Sequence, residues 1–387
     1  MSEFAAVTSR RGFARLLGAG AAVATLRSLT QASGGVLAAA LPEASEPARV
    51  ARGPILLNAN ENPYGPPPAA LAAIRDALGE SCRYPDHHAE ALREALAGLH
   101  GVSADQIVLG AGSSQILHAA AAACSGPDQR VLTADPTFES LGRYASLRKA
   151  AVTRVPLTAD FRHDLPAMLS AANGAGLIYI CNPNNPTASL TPAAELTAFL
   201  EHVPPSVTVL VDEAYHHYAE GLTGYASTMP LVARFPNLIV ARTFSKIYGM
   251  AGLRCGYSVA SKALSARLAE QTPYDSLGLP ALVAARVALT DKEHIERSRT
   301  LNAKLRAWTS GELEKAGAPV IPSAANFLMA ELGHDVTPTI QAMRGMRLEV
   351  GRRFPALPTH LRVTIGTEDE MRTFVEYFHR VWQRAAA

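Results

Sequence analysis

The sequence carries almost no excess of charge: 36 lysines and arginines face 34 aspartates and glutamates in 387 residues. Such a balance excludes a basic nucleic-acid groove and an acidic tail. Cysteine is scarce as well. Cys82, Cys124, Cys181 and Cys255 lie 42, 57 and 74 residues apart, with no Cys-x-x-Cys pair. Neither a zinc site nor a disulfide framework fits that spacing, and Cys181 reads as a small buried hydrophobe. His87-His88 and His216-His217 are adjacent pairs without ligand spacing or a carboxylate cluster, so no metal is expected. No apolar run beyond residue 40 reaches the ~20 residues that a membrane-spanning helix needs. Aromatic residues make up only 6%, and Trp308 and Trp382 sit in helical patterns that imply core or interface packing.

What positive charge there is gathers at the start. Residues 1–40 hold Arg10, Arg11, Arg15 and Arg27 against Glu3 alone, while residues 41–387 carry 32 basic and 33 acidic side chains. The paired Arg10-Arg11, the uncharged run Leu16–Leu26 and the small residues ending at Ala38-Ala39-Ala40 are the parts of an export signal. The paired arginines point to the twin-arginine route. The expected mature chain has about 347 residues, is periplasmic and is not held in a membrane; a cytoplasmic location is the alternative.

From about residue 105, short β-rich runs alternate with Ala/Leu-rich helical stretches. Strands are expected at Gln106–Leu109, Arg130–Thr133, Leu177–Cys181, Val207–Val211, Leu238–Ala241 and Cys255–Val259. Helices are expected at Ser114–Cys124, Thr191–His202 and Lys262–Gln271. Near-continuous apolar strands separated by helices imply an α/β fold, its mostly parallel sheet covered on both faces. After residue 280 the pattern changes to long helices, Ala281–Leu289 and Lys292–Ala316. Shorter strands follow near Asn326–Ala330 and Leu361–Ile365, before a last helix near Glu368–Gln383. The expected organisation is a 1–40 signal, a 41–70 arm, a large 71–280 domain and a smaller α+β domain over 281–387.

Four stretches carry chemistry. Gly110-Ala111-Gly112-Ser113-Ser114 ends a strand and opens a helix, where backbone N–H groups and hydroxyls can hold an anion. Without a third glycine it is not a dinucleotide fingerprint, and a glycine turn with a serine cap would explain it equally well. Arg242-Thr243-Phe244-Ser245-Lys246, with Arg254 eight residues beyond the lysine, could hold a phosphate or form a Schiff base, because a nearby cation and desolvation lower an amine's pKa. A surface lysine in a basic loop is the simpler reading. Asp212 ends the run Val207–Val211, at the carboxyl edge where α/β sheets bind ligands. Cys181-Asn182-Pro183-Asn184-Asn185-Pro186-Thr187 also follows a buried strand, though Asn-Pro pairs commonly mark a turn.

Taken together, a phosphate cradle, a Schiff-base lysine, a strand-end carboxylate and an amide loop are what pyridoxal 5'-phosphate requires. With Asn58-Ala59-Asn60-Glu61-Asn62-Pro63-Tyr64-Gly65, Arg83-Tyr84-Pro85-Asp86, Asp135-Pro136-Thr137-Phe138, Val211–Tyr215 and Leu361–Thr367, these stretches resemble the fold-type-I, class I/II aminotransferases. Within that family the likeness is to the histidinol-phosphate aminotransferase group, over about residues 55–380. The resemblance implies a seven-stranded large-domain sheet and these roles. Lys246 would carry the cofactor as a Schiff base and shuttle a proton. Asp212 would keep the pyridine nitrogen protonated, and Asn185 and Tyr215 would bond the ring oxygen. Phe138 would stack on one ring face and Ala214 touch the other. Gly112, Ser113, Ser114, Thr243, Ser245 and Arg254 would hold the phosphate. Tyr84 would reach that phosphate in a partner subunit, making a homodimer with shared sites. Arg362 would clamp a substrate carboxylate, and Tyr64 would form a pocket wall.

Two departures stand out. The loop ends Thr187-Ala188 where the family has Thr-Gly, and Gly351 leaves open whether Arg352 or Arg353 faces the pocket. The expected reaction moves an amino group from an amino donor to a 2-oxo acid in two half-reactions; a decarboxylase or lyase of the same fold is the alternative. Export argues for an amino acid or specialised metabolite as donor rather than histidinol phosphate, whose pathway is cytoplasmic.

Overall fold

The computed structural model describes residues 53–386; the expected export signal and the first part of the arm lie outside these residues. Seven strands form the central sheet: β2 (Ile107–Gly110), β3 (Arg130–Asp135), β4 (Val152–Pro156), β5 (Ala175–Cys181), β6 (Thr208–Asp212), β7 (Leu238–Thr243) and β8 (Gly256–Ala260). Their order is β2-β8-β7-β6-β5-β3-β4. β8 runs antiparallel to both β2 and β7, and the other neighbours are parallel.

The near-continuous apolar strands have a physical cause. Successive side chains point to opposite faces, so a strand covered on both sides needs apolar residues at every position. Ile178, Ile180, Val209 and Val211 join one core cluster. Their chain neighbours Leu177, Tyr179 and Leu210 join the cluster on the other face. The six anticipated strands fall within one or two residues of those observed. β4 escaped the sequence reading because it is an edge strand: in Val-Thr-Arg-Val-Pro only Val155 is buried, and β4 pairs with β3 alone.

The C-terminal segments surround a third core of Leu328, Val363, Phe374 and Phe378, to which Leu57 also contributes. Here β9 (Phe327–Glu331) pairs antiparallel with β11 (His360–Thr364). β1 (Ile55–Leu57) pairs parallel with β10 (Leu348–Val350). Trp308 and Trp382 pack against this core. Cys124, Cys181 and Cys255 are buried, Cys82 is exposed, and all four are unpaired. Among the described residues, no helix is long and apolar enough to cross a membrane.

Candidate active site

The carboxyl ends of β5, β6 and β7 open into a cavity of about 590 Å³. Each strand hands its next residues to the cavity, so short sequence motifs become its walls. At one end the helix Ser113–Cys124 presents its N-terminus, with Gly112 ahead of it at φ +77°. A side chain at Gly112 would strike the Arg254 guanidinium, and one at Gly256 would strike the Ser113 backbone nitrogen. Both glycines therefore permit strand, helix and arginine to converge. Thr243 Oγ1 donates to Ser245 Oγ (2.9 Å), and Arg254 Nη1 reaches the same hydroxyl (3.3 Å) and Ala251 O (2.9 Å). Arg254 itself holds a left-handed φ of +60°, a backbone cost found at sites that need one particular aim.

At the cavity's centre, Lys246 Nζ donates to Asn60 O (2.9 Å) and Ala59 O (3.2 Å). Burial lowers its pKa to about 8, with Arg362 and Arg254 lowering it and Glu61 and Asp212 opposing. Asp212 ends β6 and is 1% exposed. Burial raises its carboxyl to about 6, against the downward pull of the Tyr179 hydroxyl and the Ala214 N–H. Tyr179 Oη donates to Oδ2 at 2.9 Å and Ala214 N to Oδ1 at 3.1 Å. A cationic ring nitrogen beside this carboxylate would favour its charged form. Tyr215 Oη accepts from Asn60 Nδ2 (3.0 Å) and Asn185 Nδ2 (3.3 Å), and burial pushes its phenol up. Below the cavity, Glu213 and Arg242 form a buried pair at 2.9 Å, and Thr228 N also donates to Glu213. The pair ties the end of β6 to the end of β7.

On the opposite side lies Arg362 of β11. Nη1 donates to Asn185 Oδ1 and Nη2 to Asn58 O, both at 2.8 Å. Its Nε is buried with no hydrogen-bond partner. An orphaned buried N–H on a guanidinium is costly unless an anion completes it. Gly351 explains how this strand fits, because a side chain there would meet Arg362 Cβ, O and Nε. Of the two adjacent arginines, Arg352 lines the cavity, whereas Arg353 turns away to Asp335 at 2.7 Å.

The cavity thus gathers Ser113, Ser114, Phe138, Asn185, Asp212, Ala214, Tyr215, Thr243, Ser245, Lys246, Arg254, Arg352 and Arg362. Gly112 supports it from behind. Tyr84 stands apart at 76% exposure. Tyr64, expected as a pocket wall, is not in the lining; its ring lies 5.9 Å from the Arg297 guanidinium. Ala188, in place of glycine, takes φ +59° and is fully buried. Glu80, seven and eight residues before His87 and His88, approaches both at 3.5 and 3.0 Å. The sequence reading had found no carboxylate cluster beside those histidines; the fold brings Glu80 to them, with ligand atoms of all three within 4.8 Å of one another.

Sequence reasoning missed Tyr179, Asn60, Glu139 and Phe354. Tyr179 had a signal, since a tyrosine inside a fully apolar strand must find a partner for its hydroxyl. Glu139 and Asn60 stand next to or within quoted stretches but were given no role, because what they touch is set by tertiary contacts; Phe354 likewise follows Arg352-Arg353.

The donor set fits pyridoxal 5'-phosphate. Hydroxyls, a helix N-terminus and Arg254 suit its phosphate, a partly neutral amine suits its aldehyde, and a buried carboxylate suits its ring nitrogen. Comparison with known proteins agrees. Residues 52–378 match the family described as aminotransferase class I and II. The histidinol-phosphate aminotransferase of Symbiobacterium thermophilum is 42% identical over 83% of this chain and 89% of its own. Histidinol-phosphate aminotransferase 1 of Nitrosococcus oceani is 38% identical over 85% and 89%. The crystal structure of histidinol-phosphate aminotransferase from Sinorhizobium meliloti in complex with pyridoxal-5'-phosphate superposes with a TM-score of 0.80 at 27% identity, over 86% of this chain and 91% of that one. The chain belongs to the class I and II aminotransferases, and it is an α/β, pyridoxal-phosphate-dependent transaminase.

Proposed function

We propose that this transaminase takes its amino group from an α-amino acid and passes it to a 2-oxo acid, as an exported homodimer. The carrying observation is Arg362. Arg362 lines the cavity shared with Lys246 and keeps a buried Nε without a partner, so its guanidinium could still take up a substrate carboxylate. When bound, pyridoxal phosphate supplies the electron-withdrawing ring that lets a substrate Cα–H ionise. The chain's own residues do the rest. Arg362 would orient the donor by its carboxylate, and Lys246, its pKa lowered to about 8, would take the proton from the donor's Cα and deliver it to the cofactor carbon that carried the aldehyde. Asp212 holds the ring-nitrogen proton. Asn185 contacts both Arg362 and Tyr215, so it links the carboxylate clamp to the hydroxyl beside the ring.

Histidinol phosphate is the second donor reading, supported by the names of the relatives and by Arg352 in the cavity lining. Dimerisation is supported by Tyr84, whose exposed ring lies outside its own chain's cavity, and export by Arg10-Arg11 and the apolar run behind them. A half-reaction screen of amino acids and histidinol phosphate, read from the cofactor's absorbance, tests the donor. Conversion of the cofactor by histidinol phosphate alone overturns the amino-acid reading. Sedimentation tests the dimer, and cell fractionation of an Arg10→Lys, Arg11→Lys variant tests the route.

A further inference from the structure

We infer that Glu139 sets the substrate class of this site by neutralising Arg352, leaving the anion pocket tuned to a single carboxylate and set against a phosphate dianion. The inference rests on the amino-acid reading above and adds the residue that enforces it. Glu139 follows Phe138 and precedes the helix Ser140–Leu147, on one wall of the cavity. Arg352 comes from the opposite wall, between β10 and β11. Glu139 Oε2 and Arg352 Nη2 meet at 2.8 Å across the mouth, and both residues line the cavity.

Phe354 connects this pair to the carboxylate clamp. The Arg352 guanidinium lies 4.3 Å from the centre of the Phe354 ring, and that of Arg362 lies 5.0 Å from the same centre. Both guanidiniums line the same cavity and Arg352 acts electrostatically on Arg362, so a dianionic phosphate there would be drawn to both. Glu139 opposes that use, because its carboxylate, more than half exposed like the Arg352 side chain, pairs with Nη2 and would lie beside any incoming phosphate. Two negative charges placed near a third at a partly exposed rim repel by roughly 1–2 kcal/mol, or about tenfold in affinity. A monoanionic carboxylate needs only Arg362, whose Nε is still unpartnered.

Histidine and histidinol phosphate share a side chain and differ in the anion, so their ratio isolates this effect. In the holoenzyme, the ratio of kcat/KM for histidinol phosphate to that for histidine should rise about tenfold in Glu139→Gln. The gain should vanish when Arg352→Gln is added. An unchanged ratio in Glu139→Gln, or a gain that survives loss of Arg352, overturns the inference. Calorimetric titration of the holoenzyme with inorganic phosphate gives an independent reading: Glu139→Gln should bind it about tenfold more tightly than the parent, and equal binding overturns the inference. If neither amine converts the parent enzyme, the amino-acid reading loses its support from this pair, while the phosphate titration still decides the role of Glu139.

Discussion

The two ends of the cavity are built in different ways. The end whose donor set fits the cofactor is assembled from residues that end or follow buried strands: Asp212 closes β6, Thr243 closes β7, and Lys246 stands three residues further on. Its geometry is inherited from the sheet, which fixes where each strand stops. The end proposed to take the substrate is assembled from segments far apart in the chain. Arg362 bonds Asn58 across 304 residues and Asn185 across 177, and the Glu139–Arg352 pair bridges two loops. On the proposed reading, the cofactor chemistry thus sits on the sheet, while donor choice sits on loops whose side chains can change without disturbing it.

Removing Lys246 should break the cofactor end most completely. Lys246→Ala is expected to lower the half-reaction rate by ~10^4-fold or more, and borohydride should no longer fix the cofactor to the chain. The same lysine leaves a mark on stability. Its folded pKa of about 8 lies below the usual 10.5, so the unfolded chain binds more protons between those values. Cofactor-free protein should therefore gain stability from this group as pH rises from about 8 to 10.5. Lys246→Met should lack that gain in urea titrations across the window.

The substrate end should fail differently. Arg362→Ala is expected to cut kcat/KM for an amino-acid donor by about 10^2–10^3-fold, while the absorbance of the bound cofactor stays close to the parent's. A matching loss of cofactor would erase the distinction between the two ends. A smaller effect is expected beneath the ring. Tyr179→Phe removes the 2.9 Å hydrogen bond to Asp212 and should lower kcat about tenfold. It should also raise the Asp212 pKa, read as a shifted pH titration of the cofactor's absorbance. The smallest change concerns the loop between the ends. Ala188 holds φ +59° without exposure, so Ala188→Gly should stabilise the protein by about 0.5–1 kcal/mol in denaturant melts, with no loss of activity.

The cofactor end was legible in advance because each of its motifs is contiguous and follows an apolar strand. Gly112-Ser113-Ser114, Asp212 and Thr243–Lys246 could be read as chemistry from adjacent letters. β4 was missed for the converse reason: its one buried residue leaves no run to read. Arg352 and Arg353 show the limit most clearly. They are neighbours of identical type, yet one lines the cavity and the other pairs with Asp335.

The sequence by itself determined six of the seven sheet strands, the class of cofactor and the strand-end motifs that line the cavity, since strand hydrophobicity and the residues at strand ends are local properties. Only the tertiary structure decided which arginine enters the cavity, that Tyr179 reaches Asp212, and that Glu139 meets Arg352. Those contacts join positions tens to hundreds of residues apart, and no local pattern fixes the distance between them.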